Sequence, residues 1–142
     1  MVNEGLSIGR KLFEEADKPT CSKIIFEDKD KGLVERESTW TGNIKGYNSF
    51  PSGRASGSDR SYIHNTGGIT ISHWEGVFNT EDKEQLTFKG RDVNKNGKFI
   101  VLRTYFTKSE ALGWMNGLVC TLTGEFDASI GEFKSTGYEL LL

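Results

Sequence analysis

The dipeptide Asn96-Gly97, set between Lys95 and Lys98, constrains this chain more than any other feature. A two-residue Asn-Gly connection adopts a type I′ turn, whose twist matches that of two antiparallel strands and fixes their register. Lys95 then faces Lys98, and counting outward sets Asp92 opposite Val101, Gly90 opposite Arg103 and Phe88 opposite Tyr105. Successive side chains point to opposite faces of a sheet. One face therefore carries Phe88, Asp92, Val101, Arg103 and Tyr105. The other carries Lys89 and Arg91, which belong in water, beside Ile100, Leu102 and Phe106, whose apolar surface invites cover by a second copy.

The same period of two recurs along much of the chain. Strands are expected near 21–27, 33–42, 69–79, 84–95, 98–106, 118–127 and 132–141, separated by short polar turns such as Asp28–Gly32 and Thr66-Gly67-Gly68. A single helical turn capped by Ser109 is expected before Trp114. No helix is long enough for a parallel crossover. Seventeen glycines, two prolines and a hydrophobic share of 35% suit antiparallel sheets with one wet face. An all-β chain of about eight short-linked strands hides its edges by closing on itself, so the expected fold is an up-and-down antiparallel β-barrel. A β-sandwich is the alternative. The 142 residues suit one domain.

Two segments depart from this pattern. Leu6, Ile8, Leu12, Phe13 and Ala16 are spaced partly as on a helix, and Pro19 would end it, so residues 1–19 are expected to form a short helix or cover segment. Residues 43–61, with Pro51-Ser52-Gly53-Arg54-Ala55-Ser56-Gly57-Ser58, offer little area to bury and are expected to be a flexible loop. They lack the Gly-Lys-Ser/Thr ending of a phosphate-binding loop.

On the predicted barrel face Arg103 points inward and needs an acid or a bound anion beside it, because an unpaired buried guanidinium is very costly. Asp92, diagonal to it, is the expected partner. If the four-residue turn before Glu84 pairs Asn79 with Glu84, His73 and Glu75 join the same interior. The candidate ligand-binding set is then Arg103, Tyr105, His73, Glu75, Asp92 and Phe88. Arg103 and Tyr105 together suit a carboxylate or carbonyl oxygen. Glu75 or Asp92 could move a proton if the protein is an enzyme.

Other chemistries find less support. The chain has two histidines, no Cys-x-x-Cys and no His-Glu-x-x-His, so no metal or other cofactor is expected. Cys21 and Cys120 are expected to be ordinary apolar residues. A net charge of −2, with acids and bases interleaved, gives no field for nucleic acid. No run of ~20 apolar residues is present to span a membrane, and the opening residues lack a signal peptide's apolar stretch, so a cytoplasmic protein is expected.

Thr104-Tyr105-Phe106 before a short helical turn, and Leu112-Gly113-Trp114-Met115-Asn116-Gly117 leading into a strand, resemble small bacterial and archaeal barrels of unassigned function. Their fold is similar to the allene oxide cyclase barrel, itself near the lipocalins and avidins. The resemblance spans roughly Cys21 to Leu141. It implies a ligand-sized apolar cavity, frequent oligomers and, in some members, cyclase or isomerase activity. It carries no catalytic set position by position. Three functions are therefore weighed: a small-molecule binder for a partly apolar carboxylate or carbonyl compound, a cofactor-free cyclase or isomerase, and a structural module whose barrel is filled by side chains.

Overall fold

Eight strands follow one another around a ring in this computed structural model, which describes residues 6–142. They are β1 (Ser7–Asp28), β2 (Leu33–Gly46), β3 (Gly53–His64), β4 (Ile69–Thr80), β5 (Gln85–Lys95), β6 (Lys98–Thr107), β7 (Val119–Asp127) and β8 (Glu132–Leu141). Each is antiparallel to the next, and β8 pairs back onto β1 from Ser7↔Leu141 to Asp17↔Phe133, which closes the barrel. No sandwich forms. The Asn96-Gly97 turn has φ of 53° and 85°, as a type I′ turn requires, and β5 and β6 pair in the expected register. Among the described residues no helix is long and apolar enough to cross a membrane.

The N-terminal segment is not a helix or a cover. From Ser7 it is the first half of β1, a 22-residue strand that contacts both β2 and β8. Residues 1–5 of that expected segment lie outside the described residues. The helix-like spacing arises from a bulge. The register against β8 shifts between Ile8 and Phe13, so Leu12 and Phe13 are buried side by side where a regular strand would bury only one.

The expected flexible loop over 43–61 is also overturned. Residues 43–46 end β2, a tight connection runs from Tyr47 to Ser52, and Gly53 onward is β3, laddered on both sides. Its poverty in large residues reflects geometry rather than disorder. The inward positions include Gly53, Ala55 and Gly57, and the space above them is filled from neighbouring strands. A methyl group on Gly57 would approach within 2.9 Å of the Trp40 ring, and one on Gly53 within 2.9 Å of Phe78.

The interior divides into two halves. At the end bearing the 47–52 connection and the 3-10 turn Gly113–Met115, aromatic rings close the lumen. Phe50 enters from the connection, stacks on Phe13 at 4.7 Å and meets Tyr105 edge-on at 5.6 Å. Phe78, Phe88, Leu86 and Met115 complete the plug. At the opposite end, where the Asn96-Gly97 hairpin sits, the lumen is open.

Candidate functional site

Between plug and mouth lies a buried polar layer. Arg103 is inward, as the hairpin register demanded, and only 2% exposed. Its acid, however, is Glu15 of β1, which takes both arms of the fork: Nη1 donates to Oε1 at 2.6 Å and Nη2 to Oε2 at 3.0 Å. Nη1 also donates to the Tyr105 hydroxyl at 3.2 Å, and the guanidinium carbon stands 4.6 Å over the Phe88 ring. Burial works against the Glu15 charge, but the Arg103 guanidinium and a hydrogen bond with Asp17 hold its carboxyl below the usual range. Asp17, the next inward residue on β1, is pushed well above the usual range by burial and by the Glu15 charge, which favours its neutral form. Burial likewise raises the Tyr105 phenol, which is no proton donor near neutrality, and pushes the Cys120 thiol up to about 12.

The predicted site around Arg103 and Tyr105 is therefore a filled layer. Both are enclosed by Glu15, Phe13, Phe88 and their neighbours, and the guanidinium's two arms are already taken. Asp92 is not the partner of Arg103. It sits nearer the mouth, across the ladders from Ser72 and Val101. The partner in β1 went unseen because that stretch read as a cover. The parity of Phe13, Glu15 and Asp17, read as a strand, would have supplied it.

His73 and Glu75 are outside, which corrects the expected interior set. The β4–β5 turn pairs Asn79 with Gln85, not with Glu84. That slip of one residue sends every side chain of β4 to the other face. Ser72, Trp74 and Phe78 face the lumen, while His73 lies across from Arg91 and Glu75 across from Lys89. With Cys21, Lys23, Glu37 and Arg60 they border an open groove of about 680 Å³ on the outer wall. Its charges pair with one another, Arg60 and Lys23 both reaching Glu37, as on a solvated face.

The lumen end of the open half is different. A cavity of about 410 Å³ lies there, with Trp40, Trp74 and Asp17 toward the buried layer, and Asp59, Asp92 and Phe133 among its walls. The two indole rings are 5.2 Å apart and tilted by 56°. Burial raises the Asp59 carboxyl to about 6, helped by the Asp92 charge and partly offset by Ser38 and Arg36. Burial also raises Asp92, against the opposing pull of Ser72 and Trp74. Asp17 Oδ1, Asp59 Oδ1, Asp92 Oδ1 and the indole nitrogens of Trp40 and Trp74 are all buried without a hydrogen-bond partner. Buried polar groups are nearly always paired in folded proteins, so a cluster of orphans around one cavity demands an explanation. Asp59 was missed in the sequence because it sits in the polar run read as a loop. Among the described residues no cluster of three or more His, Cys, Asp or Glu is arranged to hold a metal ion.

This fold recurs in solved structures. A β-barrel-like protein from Acinetobacter baumannii superposes with a TM-score of 0.79 at 15% identity, covering 98% of each chain. A conserved protein of unknown function from Rhodopseudomonas palustris matches with a TM-score of 0.77 at 14% identity, over 98% of this chain and all of that one. An enzyme from Penicillium herquei matches with a TM-score of 0.68 at 18% identity, over 94% and 93% of the two chains. No protein-family model matches the chain, and no curated protein matches it in sequence. At these identities the likeness is one of fold. It extends to barrels of unknown function and does not place the chain in the allene oxide cyclase family.

Proposed function

We propose that the protein binds a small, partly apolar molecule in the mouth cavity. The observation that carries this is the set of unpaired donors and acceptors around one concave, tryptophan-walled space. Its volume, about 410 Å³, falls within the ~300–1,000 Å³ of ordinary ligand sites. The closed half of the barrel matches a filled structural module, but the open half does not. Because Glu15 occupies the fork of Arg103, an oxygen of the ligand would meet the Trp40 and Trp74 indole N–H groups instead. The test is native mass spectrometry of protein purified from its source. A discrete added mass is expected, lost in Ser38→Phe, which fills the mouth. Protein that carries nothing, and whose indole fluorescence no compound of a broad small-molecule library moves, would overturn the reading.

A second reading, a cofactor-free cyclase or isomerase, is favoured by one observation. Asp59, raised to about 6 beside Asp92, is tuned toward general acid–base work near neutrality. The candidate base thus moves from Glu75 to the Asp59–Asp92 pair. It would take a proton from a carbon beside a carbonyl and return one at another position of the same molecule. Deuterium exchange into a bound carbonyl compound, abolished by Asp59→Asn, would support it, and exchange unchanged in that variant would reject it. The same proposal includes a cytoplasmic location and a homo-oligomer, the latter supported by the exposed outward row Ile71, Val93 and Ile100 with Leu102 and Phe106 beside it.

A further inference from the structure

We infer that the occupant of the mouth cavity is a singly charged organic amine that also carries a hydroxyl or carbonyl oxygen, with Asp59 and Asp92 as its counter-charges. This rests on the cavity being a binding site at all. The charged and titratable groups among its lining residues are Asp17, Asp59, Asp92 and Arg36. Beneath them Glu15 and Arg103 neutralise each other, and burial beside Glu15 favours the neutral form of Asp17. Once ionised, Asp59 and Asp92 exceed the single positive charge of Arg36 by one. One buried oxygen of each, Oδ1, lacks a partner, and a buried carboxylate without a compensating cation is costly.

A monocation between the two acids would balance that charge. An anionic ligand would face two acids, and a neutral one would leave the two carboxyls in their raised, proton-holding state with no counter-charge. The tilted faces of Trp40 and Trp74 add the aromatic surface on which ammonium groups are held. The Trp40 N–H is buried without a partner and can only donate, whereas the Trp74 N–H lies by the Asp92 carboxyl, so the ligand must offer an acceptor to Trp40. An ammonium group alone cannot, since it has no free lone pair. The oxygen follows from that requirement.

Three probes of nearly equal shape separate the possibilities: phenylethanolamine, styrene glycol and mandelate. They share a phenyl ring and a hydroxyl and end in an ammonium, a hydroxyl and a carboxylate respectively. The readout is the indole N–H resonances of the nitrogen-15-labelled protein. Trp114, half-exposed beside the plugged end, serves as the internal control. Phenylethanolamine should shift Trp40 and Trp74 but not Trp114, and bind at least about tenfold more tightly than styrene glycol. Mandelate should shift neither.

Asp92→Asn and Asp59→Asn, which keep shape while removing charge, should each erase the preference for the amine while styrene glycol still binds. Equal affinity for amine and glycol, tightest binding by mandelate, or a preference that survives both substitutions would overturn the charge assignment and leave the cavity a binding site. If none of the three moves Trp40 or Trp74 at millimolar concentration, the charge assignment falls, and the binding reading stands or falls on the mass-spectrometry and library test above.

Discussion

Arg103 shows how a single buried charge organises its surroundings. Its fork is matched by both oxygens of Glu15, and burial together with the Glu15 charge raises the Asp17 carboxyl and favours its neutral form. The two acids therefore respond differently to substitution. Glu15→Gln leaves the guanidinium without a counter-charge and should cost about 3–5 kcal/mol, as for other broken buried pairs. Asp17→Asn replaces one neutral group by another and should stay within about 1 kcal/mol. Urea unfolding of both variants checks this, and equal losses would show that Asp17 carries the charge.

Asp59 makes a prediction about pH. Its folded value near 6 lies above the ordinary 3.8, so between those values the folded state holds more proton than the unfolded one. That contribution favours the folded state at low pH and is lost as pH rises through about 6. Asp59→Asn should therefore be more stable relative to the wild type at pH 7 than at pH 4. An unchanged difference across that window would mean the carboxyl is solvated.

At the level of elements, β3 separates composition from order. A run of Gly, Ser and Ala would be loose on its own, but here its backbone is paired on both edges and its missing side chains are replaced by Trp40 and Phe78. Amide protons within Arg54–Ile63 should accordingly exchange as slowly as those of β5, on hydrogen-exchange NMR. Fast exchange there would restore the loop. Gly57→Val should cost about 1–3 kcal/mol or more, since its side chain would enter space held by the Glu75 carbonyl and the Trp40 ring.

For the molecule as a whole, the barrel is asymmetric along its axis, plugged by rings at one end and polar and hollow at the other. The outer wall repeats that unevenness. Ile71, Val93 and Ile100 form a continuous cross-strand row, while the β1–β4 side is ion-paired. Size-exclusion chromatography with native mass spectrometry should find an oligomer, converted to smaller species by Ile100→Lys. A monomeric wild type would leave the row as ordinary exposed surface.

Local rules in the sequence determined the barrel. The Asn96-Gly97 turn, the alternation on β5 and β6 and the short polar turns each act within a few residues, so they can be read without knowing what lies across the lumen. The inward placement of Arg103 and its need for an acid belong to the same class. Which acid answered it was decided by closure, since Glu15 and Arg103 meet only when β1 completes the ring. Tertiary packing also gave β3 its order, because the rings that fill its empty positions come from β2 and β4. One residue of register in the β4–β5 turn sent His73 and Glu75 to solvent and Trp74 to the cavity. No pattern internal to β4 distinguishes the two faces. Only packing against the rest of the barrel does.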